Sequence, residues 1–346
     1  MDPKYGIIGC GMISEFYFDV LGKSKRAVTH VADIEIDKAR KCAETYNARC
    51  STDYHELIKD PNVSVVVVLA HAKFHKEICL DAIKAGKSVI CEKTLSNNVE
   101  EGYEIAKAAK DAGVIFFTAY MKRFFPAIQK AKDLITGLGL VFSAHCRSYQ
   151  FWGNLYENTA NVPAHIWLDR YGGGVLKCAG SHLLDLTLFL LGRPKSVYGH
   201  VDYVENAKLD RKAIALFEYP GSLVVNFEAA GHPLSRIGFA RNNWDERIEI
   251  NGTKGRLDIY LPVWNRPQDN AALLIHYDEE TQTSTEHRFE AVDNFRAEIE
   301  NFHDCLVNQR QGYPSSIDGF NVDVLISAIE ESSRKKQPII PDWKGL

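Results

Sequence analysis

The stretch Gly9-Cys10-Gly11-Met12-Ile13-Ser14 constrains this chain more than any other. It follows a short apolar run, Tyr5 to Ile8, and opens a segment with a helical pattern. Two glycines between a strand and a helix permit a tight turn, and the second lets backbone approach a ligand with no Cβ in the way. A small residue, Ser14, stands where close helix–strand packing is required. Amides at the helix start then face an anion, with the positive end of the helix dipole behind them. This is the setting of a loop that cradles a dinucleotide pyrophosphate. A second apolar run, Ala27 to Ala32, ends in Asp33. A carboxylate at that place accepts hydrogen bonds from ribose hydroxyls and repels a 2′-phosphate. Ile34 and Glu35 follow rather than an arginine, so NAD is favoured over NADP. The alternative for Asp33 is a plain turn acid.

The next residues repeat the strand–helix alternation. Strand-like runs lie at Tyr5–Ile8, Ala27–Asp33, Val63–Ala70, Ser88–Cys91 and Val114–Thr118. Helical patterns fill the gaps at Met12–Leu21, Ile36–Tyr46, His75–Ala85 and Val99–Ala112, and Gly86 and Gly113 stop the last two. Val65 to Val68 is β-branched throughout, which suits a strand covered on both faces of a parallel sheet. The order predicts a doubly wound Rossmann domain with ligands at the carboxyl ends of its strands. After Tyr120 the pattern changes. Helices are expected at Phe124–Leu134 and Leu183–Leu191, then strands at Lys195–Val204, Lys212–Glu218, Ser222–Ala230, Arg247–Asn251, Arg256–Leu261, Leu273–Tyr277 and Glu286–Glu290. Another strand is expected at Val141–Arg147, and two helices, Asn294–Asn308 and Asn321–Lys335, close the chain. The fold class is α/β: a Rossmann domain at 1–120, then an α+β domain at 121–346 with an open, mainly antiparallel sheet.

Composition excludes several function classes. A length of 346 residues fits two domains, and a net charge of −4 leaves no basic footprint for nucleic acid. The longest apolar runs, Val65–Ala70 and Leu186–Leu191, fall far short of a membrane span. The first strand begins within a few residues of Met1, so no secretory signal is expected. Eight scattered cysteines without a C-x-x-C pair suit free thiols in a reducing cytoplasm. His71 and His75 are four apart but lack further ligands at metal spacing, so no metal is expected.

Two segments carry candidate chemistry. Glu92-Lys93 follows the fourth strand-like run directly, which puts Lys93 at a carboxyl end. Its ammonium could hydrogen-bond a substrate hydroxyl and the alkoxide it becomes; a solvated lysine paired with Glu92 is the alternative. Gly172-Gly173-Gly174 precedes Val175 to Asp185, with His182 near the start of an apolar helix. If Cys178, His182 and Asp185 share one helical stretch, spacings of four and three give them a common face. His182 is then a proton acceptor at neutral pH, or else a core or capping histidine.

These segments carry a resemblance. The chain resembles the glucose–fructose oxidoreductase / inositol dehydrogenase / rhizopine-catabolism (Gfo/Idh/MocA) family of NAD(P)-dependent oxidoreductases. The matching stretches are Gly9–Ser14, Asp81–Lys93, Lys122–Ala131, Gly172–Asp185, Ile250–Leu257 and patterns near the C-terminus, in family order. The resemblance implies a hydride transfer between NAD and a secondary hydroxyl of a sugar, cyclitol or related polyol. It places Gly9, Gly11 and Asp33 on cofactor positions, with Met12, Ile13, Ala70, His75 and Glu92 expected beside them. Lys93 falls on the lysine that contacts nicotinamide and substrate, and His182 on the usual catalytic histidine. Arg123, Trp167 and other groups of the Phe151–Tyr171 loop are expected at substrate hydroxyls. A homodimer or homotetramer is implied through the second domain's sheet.

The departures are specific. Thr94 replaces the proline of E-K-P, Ala70-His71 a threonine–proline pair, and Cys178 an acidic or amide residue. A thiol lacks a carboxylate's charge and acceptors. His182 then acts with Lys93 alone, or Asp185 or Tyr120 assists, and His71 could supply a group that common members lack. Two other functions remain open on the sequence: an NAD-dependent glycoside hydrolase or lyase working by transient oxidation and elimination, and a non-catalytic NAD-sensing protein.

Overall fold

Short β-branched and aromatic runs build the first sheet. The structure, a computed structural model, describes residues 2–157, 173–205, 209–265 and 271–346. Strands β1 (Lys4–Ile8), β2 (Ala27–Ala32), β3 (Arg49–Ser51), β4 (Val65–Val68), β5 (Ser88–Glu92) and β6 (Phe116–Ala119) pair in parallel in the order β3-β2-β1-β4-β5-β6. Helices α1 (Ser14–Lys23), α2 (Ile36–Glu44), α3 (Tyr54–Lys59), α4 (His75–Lys84) and α5 (Val99–Ala112) connect them. The four valines of β4 are at most 2% exposed, as a strand covered on both faces requires. Strand order reverses between β1 and β4, and such a switch point opens a crevice at the carboxyl ends.

The chain divides into two compact units that are not contiguous in sequence. The first comprises Met1–Met121, Phe295–Asp323 and Lys344–Leu346; the second comprises Lys122–Asn294 and Val324–Trp343. The sequence put the whole of 121–346 in one second domain. The late segment belongs to the first unit because it completes that unit's core. Phe117 stacks on Phe302 with ring centroids 4.2 Å apart, the Thr118 amide donates to the Pro314 carbonyl, and the Ser96 hydroxyl donates to Asp323 at 2.8 Å. No run of residues before 121 signals that Phe117 needs a partner so far along the chain.

In the second unit, α6 (Pro126–Leu134) and α7 (Ser181–Leu191) accompany eight strands. These are β7 (Val141–Phe151), β8 (Ser196–Tyr203), β9 (Asp210–Glu218), β10 (Val224–His232), β11 (Trp244–Gly252), β12 (Gly255–Leu261), β13 (Leu273–Asp278) and β14 (Thr283–Arg288). Their order is β14-β13-β12-β11-β7-β10-β9-β8; β7 and β10 run parallel and every other pair antiparallel. Along β9, Ala213, Ala215 and Phe217 are buried while Ile214 and Leu216 are exposed, the period of two expected of a sheet with one covered face. Two helices close the chain, α8 (Asn294–Val307) and α9 (Ser316–Lys335). Among the described residues, no helix is long and apolar enough to cross a membrane.

Candidate active site

The glycine loop forms as its residue types demand. Gly9 has φ +100, and a Cβ there would meet the Leu69 carbonyl carbon at 2.9 Å and the Ala70 nitrogen at 3.0 Å. No side chain fits, and the backbone turns at once after β1. The Gly9 amide donates to the Ala32 carbonyl, which fastens the turn to the end of β2. A Cβ on Gly11 would meet no protein atom within 4 Å, so the loop backbone faces open space there. Ser14 donates its hydroxyl to the Gly11 carbonyl at 2.6 Å and starts α1. Met12 is exposed on this turn and Ile13 precedes the helix as its N-cap residue.

Asp33 stands directly after β2. One carboxylate oxygen accepts the Cys10 amide at 2.7 Å and the other accepts the Glu35 amide at 2.9 Å. The same acid therefore ties the glycine loop to the end of β2. A carboxylate has about four acceptor sites, so two amides leave capacity for ribose hydroxyls. The open face at Gly11, the blocked Cβ at Gly9 and the acid after β2 fit an NAD pyrophosphate and ribose.

Further along the carboxyl edge of this sheet, Leu69, Ala70 and His71 follow β4, and His71 is exposed ahead of a short helical turn. His75 begins α4 with a ring only 1% exposed. Its Nε2 lies 2.7 Å from the Ala70 carbonyl, and its Nδ1 lies 2.9 Å from that of Thr94 and 3.2 Å from that of Leu95. Burial pushes the ring's pKa down, and the carbonyls oppose that shift. His75 thus ties the segment after β4 to the segment after β5. Glu92 ends β5 and is buried. It accepts the Tyr17 hydroxyl at 3.0 Å and the Lys93 amide at 3.1 Å. Burial raises the carboxyl's pKa, with the Lys93 charge as the main opposing influence. Lys93 is half-buried, and its peptide bond to Thr94 is cis. Tyr120 lies just beyond β6 and is fully buried.

The second unit holds the other candidates. Leu176–Gly180 forms a π-helical turn that leads into α7. Cys178 sits on that turn and is exposed, whereas His182 and Asp185 are buried on α7. The exposed thiol and the two buried side chains therefore meet different surroundings. Asp185 faces Arg123 instead: Nε to Oδ2 is 2.8 Å and Nη2 to Oδ1 is 2.6 Å, a two-point ion pair with both side chains at most 2% exposed. Arg123 also lies over the Phe189 ring, 4.8 Å from its centroid. Named from the sequence for substrate hydroxyls and for catalytic support, these two residues pair with each other on the fold. Trp167 lies outside the described residues. Among the described residues, no three His, Cys, Asp or Glu side chains are grouped to hold a metal ion.

Sequence reasoning assigned no role to Tyr17, the donor to Glu92, or to the buried Lys122–Glu246 pair at 2.5 Å. Lys122 was visible in the K-R-F-F stretch, but its partner on β11 is far away in sequence. A tyrosine on the apolar side of α1 gives no sequence signal of a carboxylate partner.

Comparison with known proteins agrees with this geometry. Residues 3–120 match the family described as "Oxidoreductase family, NAD-binding Rossmann fold", and residues 128–258 match "GFO/IDH/MocA C-terminal domain". The chain is 28% identical over 277 residues to trans-1,2-dihydrobenzene-1,2-diol dehydrogenase of Sus scrofa, covering 76% of each. It is 25% identical over 324 residues to myo-inositol 2-dehydrogenase of Thermotoga maritima, covering 91% of each. A levoglucosan dehydrogenase solved with NADH and levoglucosan shares the fold with a TM-score of 0.85 at 21% identity, over 99% of this chain and 100% of that one. With its NAD-binding sheet and its C-terminal domain both matched, the chain belongs to the Gfo/Idh/MocA family of NAD-binding oxidoreductases.

Proposed function

We propose that this protein is a dehydrogenase that oxidises a secondary hydroxyl of a sugar, cyclitol or related diol. The observation that carries this reading is the placement of Lys93 directly after β5, in the sheet whose β1 and β2 ends form the NAD loop. The similar proteins named above act on a cyclic diol, an inositol and an anhydrosugar, which supports a ring alcohol as substrate. NAD, when bound, accepts the carbinol hydrogen as hydride. The chain's own residues do the rest. Asp33 and the Gly9–Gly11 backbone hold the ribose and pyrophosphate. Glu92, fixed by Tyr17, positions the Lys93 backbone through its amide. The Lys93 ammonium donates to the substrate oxygen as negative charge develops on it. The His182 imidazole takes the hydroxyl proton. We further assign the protein to the cytoplasm, where its eight free thiols stay reduced, and to a homo-oligomer joined through the exposed face of the second unit's sheet, where Tyr198, Ile214, Leu216 and Val224 lie.

The test is NADH absorbance after mixing the protein and NAD with myo-inositol, trans-dihydrodiols and anhydrosugars. Turnover with at least one is expected. Lys93→Met and His182→Ala should each lower kcat by about 10²-fold or more, with NADH affinity nearly unchanged. NADH binding without turnover on any ring alcohol would overturn the proposal.

A further inference from the structure

The histidine at the head of α4 meets a backbone carbonyl at each of its ring nitrogens. Its Nε2 lies 2.7 Å from the Ala70 oxygen, and its Nδ1 lies 2.9 Å from the Thr94 oxygen and 3.2 Å from that of Leu95. A carbonyl oxygen only accepts, so each contact needs a proton on the ring nitrogen. A neutral imidazole has one proton for two nitrogens. The shorter contact assigns that proton to Nε2, against Ala70. The bare lone pair of Nδ1 is then turned toward Thr94 and Leu95. The imidazolium has a proton for both sides. The charge on a side chain that is 1% exposed thus decides whether the segment after β5 is held.

That segment carries Lys93. On one side of it, the Lys93 amide donates to Glu92 at 3.1 Å. On the other, Ser96 is fastened to Asp323, its amide at 3.1 Å and its hydroxyl at 2.8 Å. Thr94 and Leu95 lie between these anchors, and their carbonyls are the ones that meet Nδ1. We propose that His75 is a proton-operated clamp on Lys93–Leu95, a positioning residue whose imidazolium fixes the backbone that carries the Lys93 side chain and whose neutral form releases it. The clamp stands on the carbonyl geometry; its effect on turnover rests on the role proposed above for Lys93.

The surroundings set the direction of the pH effect. Burial, the largest influence, disfavours the charged ring; the Ala70, Thr94 and Leu95 carbonyls oppose it, and the His71 charge adds to it. The ring therefore takes its second proton only below histidine's ordinary 6.5. Charged groups on the neighbouring elements are engaged elsewhere. Lys76 pairs with Glu104 of α5 at 2.8 Å, and Asp81 meets Tyr54 of α3 at 3.0 Å and His55 at 3.4 Å. Lys73 lies over the Phe74 ring, and Glu77 is exposed. The β4 strand presents valines alone, and on β5 Cys91 is a buried thiol while Glu92 holds Tyr17 and the Lys93 amide. The clamp is thus open in neutral solution and closes on acidification.

The experiment uses the full chain. Amide exchange of the peptide spanning Lys93–Ser96 is followed by mass from about pH 5 to about pH 8 and divided by the intrinsic rate at each pH. Protection should rise about tenfold as the pH falls through the His75 titration, the scale of a hydrogen bond from a charged donor. In His75→Gln, which does not titrate, protection should stay level. Should that variant fail to fold, the parent profile decides: protection level across the range overturns the proposal. So does a rise that persists in folded His75→Gln. Where a ring alcohol turns over, the ratio of parent to His75→Gln kcat should climb about tenfold over the same fall in pH, with KM unmoved. The pH dependence of His182 is common to both proteins and cancels in that ratio. A level ratio overturns the positioning role. Absence of turnover on any ring alcohol counts against the dehydrogenase reading alone, because the exchange result involves no alcohol.

Discussion

Single carboxylates in this protein serve different ends because their surroundings differ. Asp33 is half-buried and accepts two backbone amides, which keeps it suited to a polar ligand. Asp210 is buried at the start of β9 and accepts the Leu176 amide at 2.7 Å. Burial raises its carboxyl from an ordinary 3.8 to about 6; the Leu176 amide and Lys177 oppose the shift, and Glu330 adds to it. Between those two values the folded chain keeps a proton that the unfolded chain has released, so stability falls as pH rises from about 4 to about 6. The loss approaches about 3 kcal/mol at most and is constant at higher pH. Asp210→Asn keeps an acceptor for Leu176 without a charge. Urea unfolding should show a shallower decline over that pH range and a variant more stable than the parent by about 1–3 kcal/mol at pH 8. Glu330, also raised by burial, supplies the slope that remains.

The same Asp210 fixes an element. A Cβ on Gly174 would stand 2.3 Å from both the Asp210 carbonyl oxygen and its carboxylate. The glycine before α7 is thus required by close approach of β9 to the π-helical turn. Gly174→Ala should destabilise the protein by about 1–3 kcal/mol, measured as a lower urea midpoint, while NADH affinity on the other unit stays as it was. The glycine run was plain in the sequence, but its reason was not, because Asp210 lies beyond α7 and β8. Most elements were legible for the opposite reason: their signals are local. α5 spans Val99–Ala112 as expected, with Asn98 accepting the Glu101 amide at its start and Gly113 at φ +64 at its end. β3 and α3 were missed. β3 has three residues with only Ser51 buried, so no apolar run marks it. α3 has six, and its one signal is Asp53, whose side chain accepts the His55 amide as an N-cap. The parallel pairing of β7 with β10 was beyond reach too, since register across eighty residues leaves no local trace. The turn at Gly9 and the place of Asp33 and Lys93 directly after their strands were readable from spacing, whereas the Arg123–Asp185 pair was not, because nothing in either segment names the other as partner.

At the scale of the molecule, the first unit is completed by residues distant in sequence. β6 is the edge of the parallel sheet, and an uncovered edge exposes backbone donors and acceptors. Here the Thr118 amide donates to Pro314, and Phe117 bridges to Ser315. Phe117 and Phe302 are each fully buried, and Tyr5 donates or accepts at His303 Nδ1 over 2.8 Å. Residues 1–121 alone would bare the Phe117 and Tyr5 rings and leave the Ser96 amide without Asp323. Burying a phenylalanine contributes about 1.5–3 kcal/mol, and a buried polar group left unpaired costs about 1–3 kcal/mol. Several such losses match the whole stability of an ordinary domain, about 5–15 kcal/mol. The fragment 1–121 should therefore lack a cooperative thermal transition and bind NADH weakly or not at all. The same fragment joined to Phe295–Asp323 through a flexible linker should regain both, read by calorimetry and NADH fluorescence. If 1–121 unfolds cooperatively and binds NADH by itself, the late segment is dispensable packing. If only the joined fragment does so, the nucleotide-binding unit is one that translation cannot finish until nearly the whole chain has been made.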